Sequence, residues 1–298
     1  MPLPPLKNPS KLLTIIRGIA LGVPAALFLL VTLITVNCIQ VLFLIIAPFS
    51  RRTYLNLNRW AANWWFGLCV KVGRRVHGIG MKLTGDPVRT GENAVLVVNH
   101  QEMTDIAFLF MVAQAGGRLG DLKWFVKDAI KYVPGVGWGL FLLDNLFVKR
   151  RWSSDRDSIE AVFSRLKRNE IPFWLVLFAE GTRITEEKLV RSRRIASKKN
   201  MTPLSHLLMP HTKGFVASLQ GLGDRLDAVY DITIGYEEGV PSLGQYIVGF
   251  VERAHIHVKR FDAKELPAGH QALSLWLNQR FEEKDALLDE FFSTGAFR

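Results

Sequence analysis

The chain has 298 residues, enough for one large domain or two, and 49% of them are hydrophobic, so a buried core is available and a disordered polymer is excluded. A formal net charge of +11 calls for an anionic partner, either nucleic acid or an anionic lipid surface. The two cysteines, Cys38 and Cys69, exclude a disulfide framework and a cysteine-ligated metal, and read as packing residues.

The first predicted element decides between the two anionic partners. Gly18 to Ser50 contains no charged residue and is mostly Leu, Ile, Val, Ala and Phe. As a helix it would be about 50 Å long, beyond the roughly 30 Å hydrocarbon layer, so this part meets lipid and nucleic acid is set aside. The stretch is too long for a cleaved signal peptide, and Pro24 is expected to kink it near its start. Lys7, Lys11 and Arg17 precede it and Arg51, Arg52 and Arg59 follow it, so loop charge assigns no orientation. Trp60 to Val72, with Trp60, Trp64 and Trp65, is too short to span and reads as interfacial or packed back on the first helix. The expected division is therefore a membrane-anchoring segment over residues 1–72 and a second domain over 73–298.

In that second domain Arg74 to Gly85 reads as a strand, turned by Gly85-Asp86-Pro87. Val95 to Val98 is a β-branched buried strand that stops at Asn99 and delivers His100 and Asp105, followed by a helix to Ala115 closed by Gly116-Gly117. Lys123 to Val126 is a short strand. Ile130 to Leu143, apolar and interrupted by Pro134 and three glycines, reads either as a core connection or as an acyl-chain wall or membrane contact. Asn145 to Val148 leads to Lys149-Arg150-Arg151. Ser154 and Asp157 resemble a capping box for an amphipathic helix carrying Ile159, Val162, Phe163 and Leu166.

Ile171 to Phe178 is a further buried strand, running into Glu180-Gly181-Thr182-Arg183. Thr185 can cap a helix with Lys188, Arg191, Arg193, Arg194, Lys198 and Lys199 on its exposed side. Leu207 to Met209 reads as a short strand, Pro210 to Gly214 as a turn, and Phe215 as a helix start. Ala228 to Ile234 and His255 to Val258 are strands, and Leu273 to Phe292 is a closing helix. His255 and His257 share a strand face but lack a third ligand, so they read as surface residues and not as a metal site. Strands alternating with helices predict an α/β domain, a mixed sheet flanked by helices, with the polar clusters at strand ends.

His100 and Asp105 are five apart, a spacing that lets them meet only if the histidine lies in the loop and the acid in the first helical turn. An imidazole held by a carboxylate is the equipment of a general base. No Ser or Cys stands beside it to act as a nucleophile. Taken with Phe147-Val148-Lys149-Arg150, Phe178-Ala179-Glu180-Gly181-Thr182-Arg183 and Met209-Pro210-His211-Thr212-Lys213-Gly214-Phe215, the pair completes four blocks in order.

With these blocks the sequence resembles the glycerophospholipid acyltransferases, whose type activity is 1-acylglycerol-3-phosphate acyltransferase, over roughly residues 55–296. It is most similar to the branch with Phe173-Trp174-Leu175 and Thr212-Lys213-Gly214-Phe215, and Lys284 to Asp289 also looks like that branch. Asp144 departs from a glycine common in the second block, and His211 from an arginine in the fourth. The resemblance implies His100 as base, Asp105 as its support, and phosphate binding by Lys149, Arg150, Glu180, Gly181, Thr182, Arg183 and Lys213. Glu180 is expected to orient Arg183 or the acceptor, and backbone amides at the start of the helix after His100 to stabilise the oxyanion.

No metal and no cofactor is expected beyond the acyl donor, acyl-CoA or acyl carrier protein. The partners implied are the bilayer, a lysophospholipid acceptor and the donor, with no nucleic acid. Lysophosphatidate is the expected acceptor, a lysophospholipid with a larger head group the alternative, and a non-catalytic lipid-binding module a remote one. Without apolar segments after the closing helix, the expected place is a bacterial inner membrane facing the cytoplasm, with the endoplasmic reticulum as the eukaryotic equivalent.

Overall fold

The computed structural model describes residues 5–7, 10–149 and 152–297. Helix α1 (Lys11–Arg17) runs through a widened π turn (Gly18–Gly22) into α2 (Val23–Leu42). The wide turn lies just before Pro24, which removes one backbone donor there, so the helix continues where a kink was expected. The continuous stretch Lys11–Ile45 is long and apolar enough to cross a membrane, and little of it is covered by the rest of the chain.

Helix α3 (Arg51–Arg75) starts where the Ser50 hydroxyl accepts from the Thr53 amide (3.2 Å), well before the expected Trp60. It packs back on α2, and the Trp65 indole donates to the Leu29 carbonyl (3.3 Å). Arg74 and Arg75 belong to this helix, so the first strand starts later than expected.

The rest of the chain is one seven-stranded sheet with helices on both faces. In chain order follow β1 (Gly80–Gly85), β2 (Ala94–Val98), α4 (Asp105–Ala115), β3 (Leu122–Lys127), α5 (Val136–Leu142), β4 (Leu146–Val148), α6 (Trp152–Arg168) and β5 (Trp174–Phe178). Then come α7 (Glu186–Lys198), α8 (Thr212–Leu222), β6 (Ala228–Gly235), α9 (Leu243–Ile247), β7 (Arg253–Asp262) and α10 (His270–Thr294). The sheet order is β1-β7-β6-β2-β5-β3-β4, and every pair is parallel except β6 with β7. The mixed sheet flanked by helices is thus as expected.

Strand β2 is fully buried because both faces are covered. Val95 and Val97 meet Phe163, Phe215 and Phe281 of α6, α8 and α10, while Leu96 and Val98 meet Phe66, Phe108 and Val112 of α3 and α4. Helix α6 begins at Trp152, so Ser154 lies inside it and not at its cap.

Leu207 to Met209 does not join the sheet. The Leu208 amide donates to Glu180 and the Met209 amide to Ser192, so side chains take the donors that a strand would offer a neighbour. Helix α8 starts at Thr212, which places Lys213 in its first turn. His255 is buried against Phe291 and bonded to Glu237 (3.2 Å), not on the surface as expected, and His257 meets Thr84 (3.2 Å). Among the described residues no group of His, Cys, Asp and Glu could hold a metal.

Candidate active site

Parallel strands β2 and β5 end side by side, and their ends deliver His100 and Glu180 to the same edge. Beyond β2 the Asn99 side chain extends the ladder, donating to the Ile234 carbonyl (3.0 Å) and accepting from the Ile234 amide (2.8 Å). The chain then turns over Gln101 to Thr104 into α4, and His100 Nδ1 comes within 3.0 Å of Asp105 Oδ2. Helix and loop bring the five-residue pair together as the spacing required.

Asp105 is fully buried and its oxygens are surrounded by donors. Oδ2 also accepts from the Gln101 and Glu102 amides (2.7 and 3.0 Å), and Oδ1 accepts from the Tyr236 hydroxyl (2.7 Å). So many donors suit an ionised carboxylate, which places the imidazole proton on Nδ1 and leaves Nε2 free to accept one. Burial, followed by the adjacent carboxylate, raises the Tyr236 phenol well above its ordinary value, so it stays a donor. The His100 ring rests on Phe178, the last residue of β5, with centroids 3.9 Å apart and an 18° angle between planes.

These same bonds correct one expectation. The amides of Gln101, Glu102 and Met103 are already engaged by the Asp105 and Glu102 side chains, so they are not available to an oxyanion.

Glu180 does not orient Arg183. It is buried, and its two oxygens accept from the amides of His100 (2.8 Å) and Leu208 (2.9 Å), tying the loops after β2 and β5 to the segment before α8. Burial pushes its carboxyl up to about 8, against the lowering effect of the two amides. Arg183 instead pairs with Glu102 and is half exposed, and Thr182 accepts from Lys188 (2.8 Å).

Gly181 has a left-handed backbone (φ 70°), and a Cβ there would lie 2.9 Å from the His211 ring, so both conformation and space call for glycine. Lys149 and Lys213 are exposed at the ends of β4 and the start of α8. Arg150 lies outside the described residues. Asp144, the departure in the second block, holds φ 54°, a conformation in which glycine is at ease and aspartate is tolerated. Its carboxylate pairs with Arg51 and Arg165, which accounts for the acid at a turn.

Tyr236 and Glu102 were not singled out from the sequence, and Phe178 was read only as the start of a block, not as a surface for the His100 ring. A tyrosine immediately beyond β6 was the available signal, because β6 runs parallel beside β2 and both ends reach the same edge.

His100 also forms part of the wall of an apolar cavity of about 670 Å³. Its remaining walls come from α2 (Ala25 to Gln40), α3 (Ala62 to Gly73), the start of α4, β3 and α5. His100 thus faces an apolar space bounded in part by the long apolar helix α2.

Family comparison agrees. The acyltransferase model matches residues 80–237 and the acyltransferase C-terminus model residues 246–298, and the chain belongs to the acyltransferase family. 1-acyl-sn-glycerol-3-phosphate acyltransferase 3 of Arabidopsis thaliana is 31% identical over 92% of this chain and 75% of its own length. Lysocardiolipin acyltransferase 1 of Danio rerio is 35% identical over 77% of this chain and 60% of its own. Probable 1-acyl-sn-glycerol-3-phosphate acyltransferase 5 of Arabidopsis thaliana is 33% identical, and the chain spans 62% of its length. The crystal structure of the 1-acyl-sn-glycerophosphate acyltransferase PlsC from Thermotoga maritima shares the fold, with a TM-score of 0.50 and 14% identity over 85% of this chain and 96% of that one.

Proposed function

We propose that the chain transfers a fatty acyl group from a thioester, acyl-CoA or acyl carrier protein, to the 2-hydroxyl of 1-acylglycerol-3-phosphate, giving phosphatidate. The observation that carries this reading is that His100, bonded to buried Asp105, opens onto an apolar cavity walled by the anchoring helix. His100 Nε2 takes the hydroxyl proton as the oxygen attacks the thioester carbonyl, and Asp105 stabilises the imidazolium. The tetrahedral intermediate collapses by breaking the carbon–sulfur bond, and the thiolate leaves with the proton from His100. The steps need no metal or further cofactor.

The acceptor phosphate is held by Arg183 and Lys213, with Lys149 beyond β4 and Arg150, next in sequence, as a further cation. Arg183 offers a planar fork, and Lys213 adds its charge to the positive end of α8. Glu180, Gly181 and Thr182 shape the bend that carries Arg183 outward. A second reading, a lysophospholipid with a larger head group, is favoured by the likeness to lysocardiolipin acyltransferase.

The test is acylation by membranes bearing the chain, with radiolabelled acyl-CoA and a panel of lysolipid acceptors. Lysophosphatidate should give the highest turnover, and His100→Ala should lower it by about 10²-fold or more, the scale of general-base catalysis. Full activity in His100→Ala would remove the proposed base, and higher turnover of lysocardiolipin would select the second reading.

A further inference from the structure

The segment between β3 and β4, Asp128 to Leu142, has two faces with different surroundings. Its inner side, with Ile130, Gly139 and Leu140, lines the apolar cavity. Its outer side exposes Tyr132, Val133, Trp138 and Phe141, between 43% and 72% of each in the open. Isolated exposed hydrophobics are ordinary, but four within ten residues form a patch that needs a partner.

Three further observations identify that partner as lipid. First, the patch continues the apolar surface of the anchor. Gly135 sits against Leu33, and Gly139 against Asn37, so α5 lies close on α2, whose neighbouring Leu30, Val31 and Ile34 are themselves exposed. Second, much of the segment's backbone is paired within the segment itself. The amides of Val133, Gly137, Gly139 and Leu143 donate to Ile130, Val133, Gly135 and Gly139, which is what hydrocarbon requires of any chain within it. Third, the polar residues lie at its start, where Lys131 pairs with Asp128 (2.8 Å) and rests near the Tyr132 ring, beside exposed Lys127. An aromatic ring with a lysine is suited to the head-group layer.

We infer that residues 128–142 form a second membrane-immersed element, lying beside α2 in the same leaflet with Trp138 and Phe141 in the acyl-chain region. The inference rests on the reading of Lys11–Ile45 as a membrane anchor. It makes the outer wall of the acyl cavity a lipid-facing wall, so that an acyl chain inside the cavity is separated from the bilayer by a single layer of side chains.

The experiment measures depth in the full-length chain. Cys38→Ala and Cys69→Ala leave no native thiol, and one cysteine is then introduced as Trp138→Cys and carries an environment-sensitive dye. The protein is reconstituted in vesicles of phosphatidylcholine and phosphatidylglycerol. Dye at 138 should be quenched several-fold more by a spin label on the lipid chain than by aqueous iodide, and the same dye introduced by Asp224→Cys should show the reverse.

A parallel label introduced by Leu30→Cys reports the anchor itself. Lipid quenching at 30 with only iodide quenching at 138 would overturn the inference while leaving the anchor in place. Protection from both quenchers at 138 would also overturn it, indicating a protein partner. Loss of lipid quenching at 30 would remove the anchor and the inference together. Since depth is read without turnover, none of these outcomes depends on the acceptor assay.

Discussion

Asp105 accepts more hydrogen bonds than His100 beside it, and its two oxygens have separate partners. Oδ2 gathers the imidazole and two amides, which fixes the loop, while Oδ1 has a single side-chain donor in Tyr236. Tyr236→Phe keeps the ring in its packing against Phe108 and removes that donor from a buried acid, together with a longer contact to the Thr104 hydroxyl (3.4 Å). The loss of one hydrogen bond to a buried charged group costs on the order of 1–3 kcal/mol. The expected result is a lowered melting temperature, measured by differential scanning fluorimetry, and a kcat decrease of about tenfold with KM little changed. An unaltered kcat would mean that Oδ1 has no part in holding the histidine. The His100–Asp105 pairing was legible because a strand-end histidine and an acid at a helix start constrain each other locally. Tyr236 lies 131 positions away from Asp105, and only the parallel placement of β2 and β6 brings it there.

At the level of elements, Glu180 joins three segments that are distant in sequence. Its ordinary value is 4.5 and burial raises it to about 8, so between these values the unfolded chain has released a proton that the folded chain retains. Raising the pH across that window therefore favours the unfolded state, and this part of the stability, complete below pH 4.5, is lost as pH rises through about 8. Glu180→Gln should flatten the dependence of melting temperature on pH between about 5 and 8, and an unchanged slope would assign it to another group.

The helices and central strands were readable because polar residues bound their apolar runs, as at Val95 to Val98 before Asn99. Leu207 to Met209 was misread for a related reason: an apolar triplet looks the same whether its amides meet a strand or the carboxylate of Glu180. Helix α2 offers a test of the cavity it bounds. Val36 is buried on the cavity wall, and Val36→Trp fills space there. Donor preference should move to shorter acyl chains, by roughly fourfold per methylene if each buried CH₂ contributes about 0.8 kcal/mol. A donor profile unchanged in length would place the acyl chain elsewhere.

Across the whole molecule, the long apolar helix was legible from composition alone, while its relation to the sheet was not. The Leu6 amide donates to the Val240 carbonyl (2.9 Å), Gln245 donates back to the Leu6 carbonyl (2.7 Å), and Arg17 reaches the Gly249 carbonyl (2.8 Å) while covering the Phe250 ring. These partners are more than two hundred positions apart, so no local pattern announced them. They hold Leu6 and Arg17, around the start of the apolar helix, to α9 and its flanking loops.

If Lys11–Ile45 sits in a bilayer, a domain fastened to it in this way cannot leave the surface to look for its acceptor. It meets only lipids that diffuse laterally to it, and the quantity that sets its rate is the fraction of acceptor in the surface, not the amount in the tube. With total lysophosphatidate fixed, adding inert phosphatidylcholine to the vesicles should therefore slow acylation in proportion to the dilution. A rate that follows bulk acceptor concentration would mean that the acceptor arrives from water.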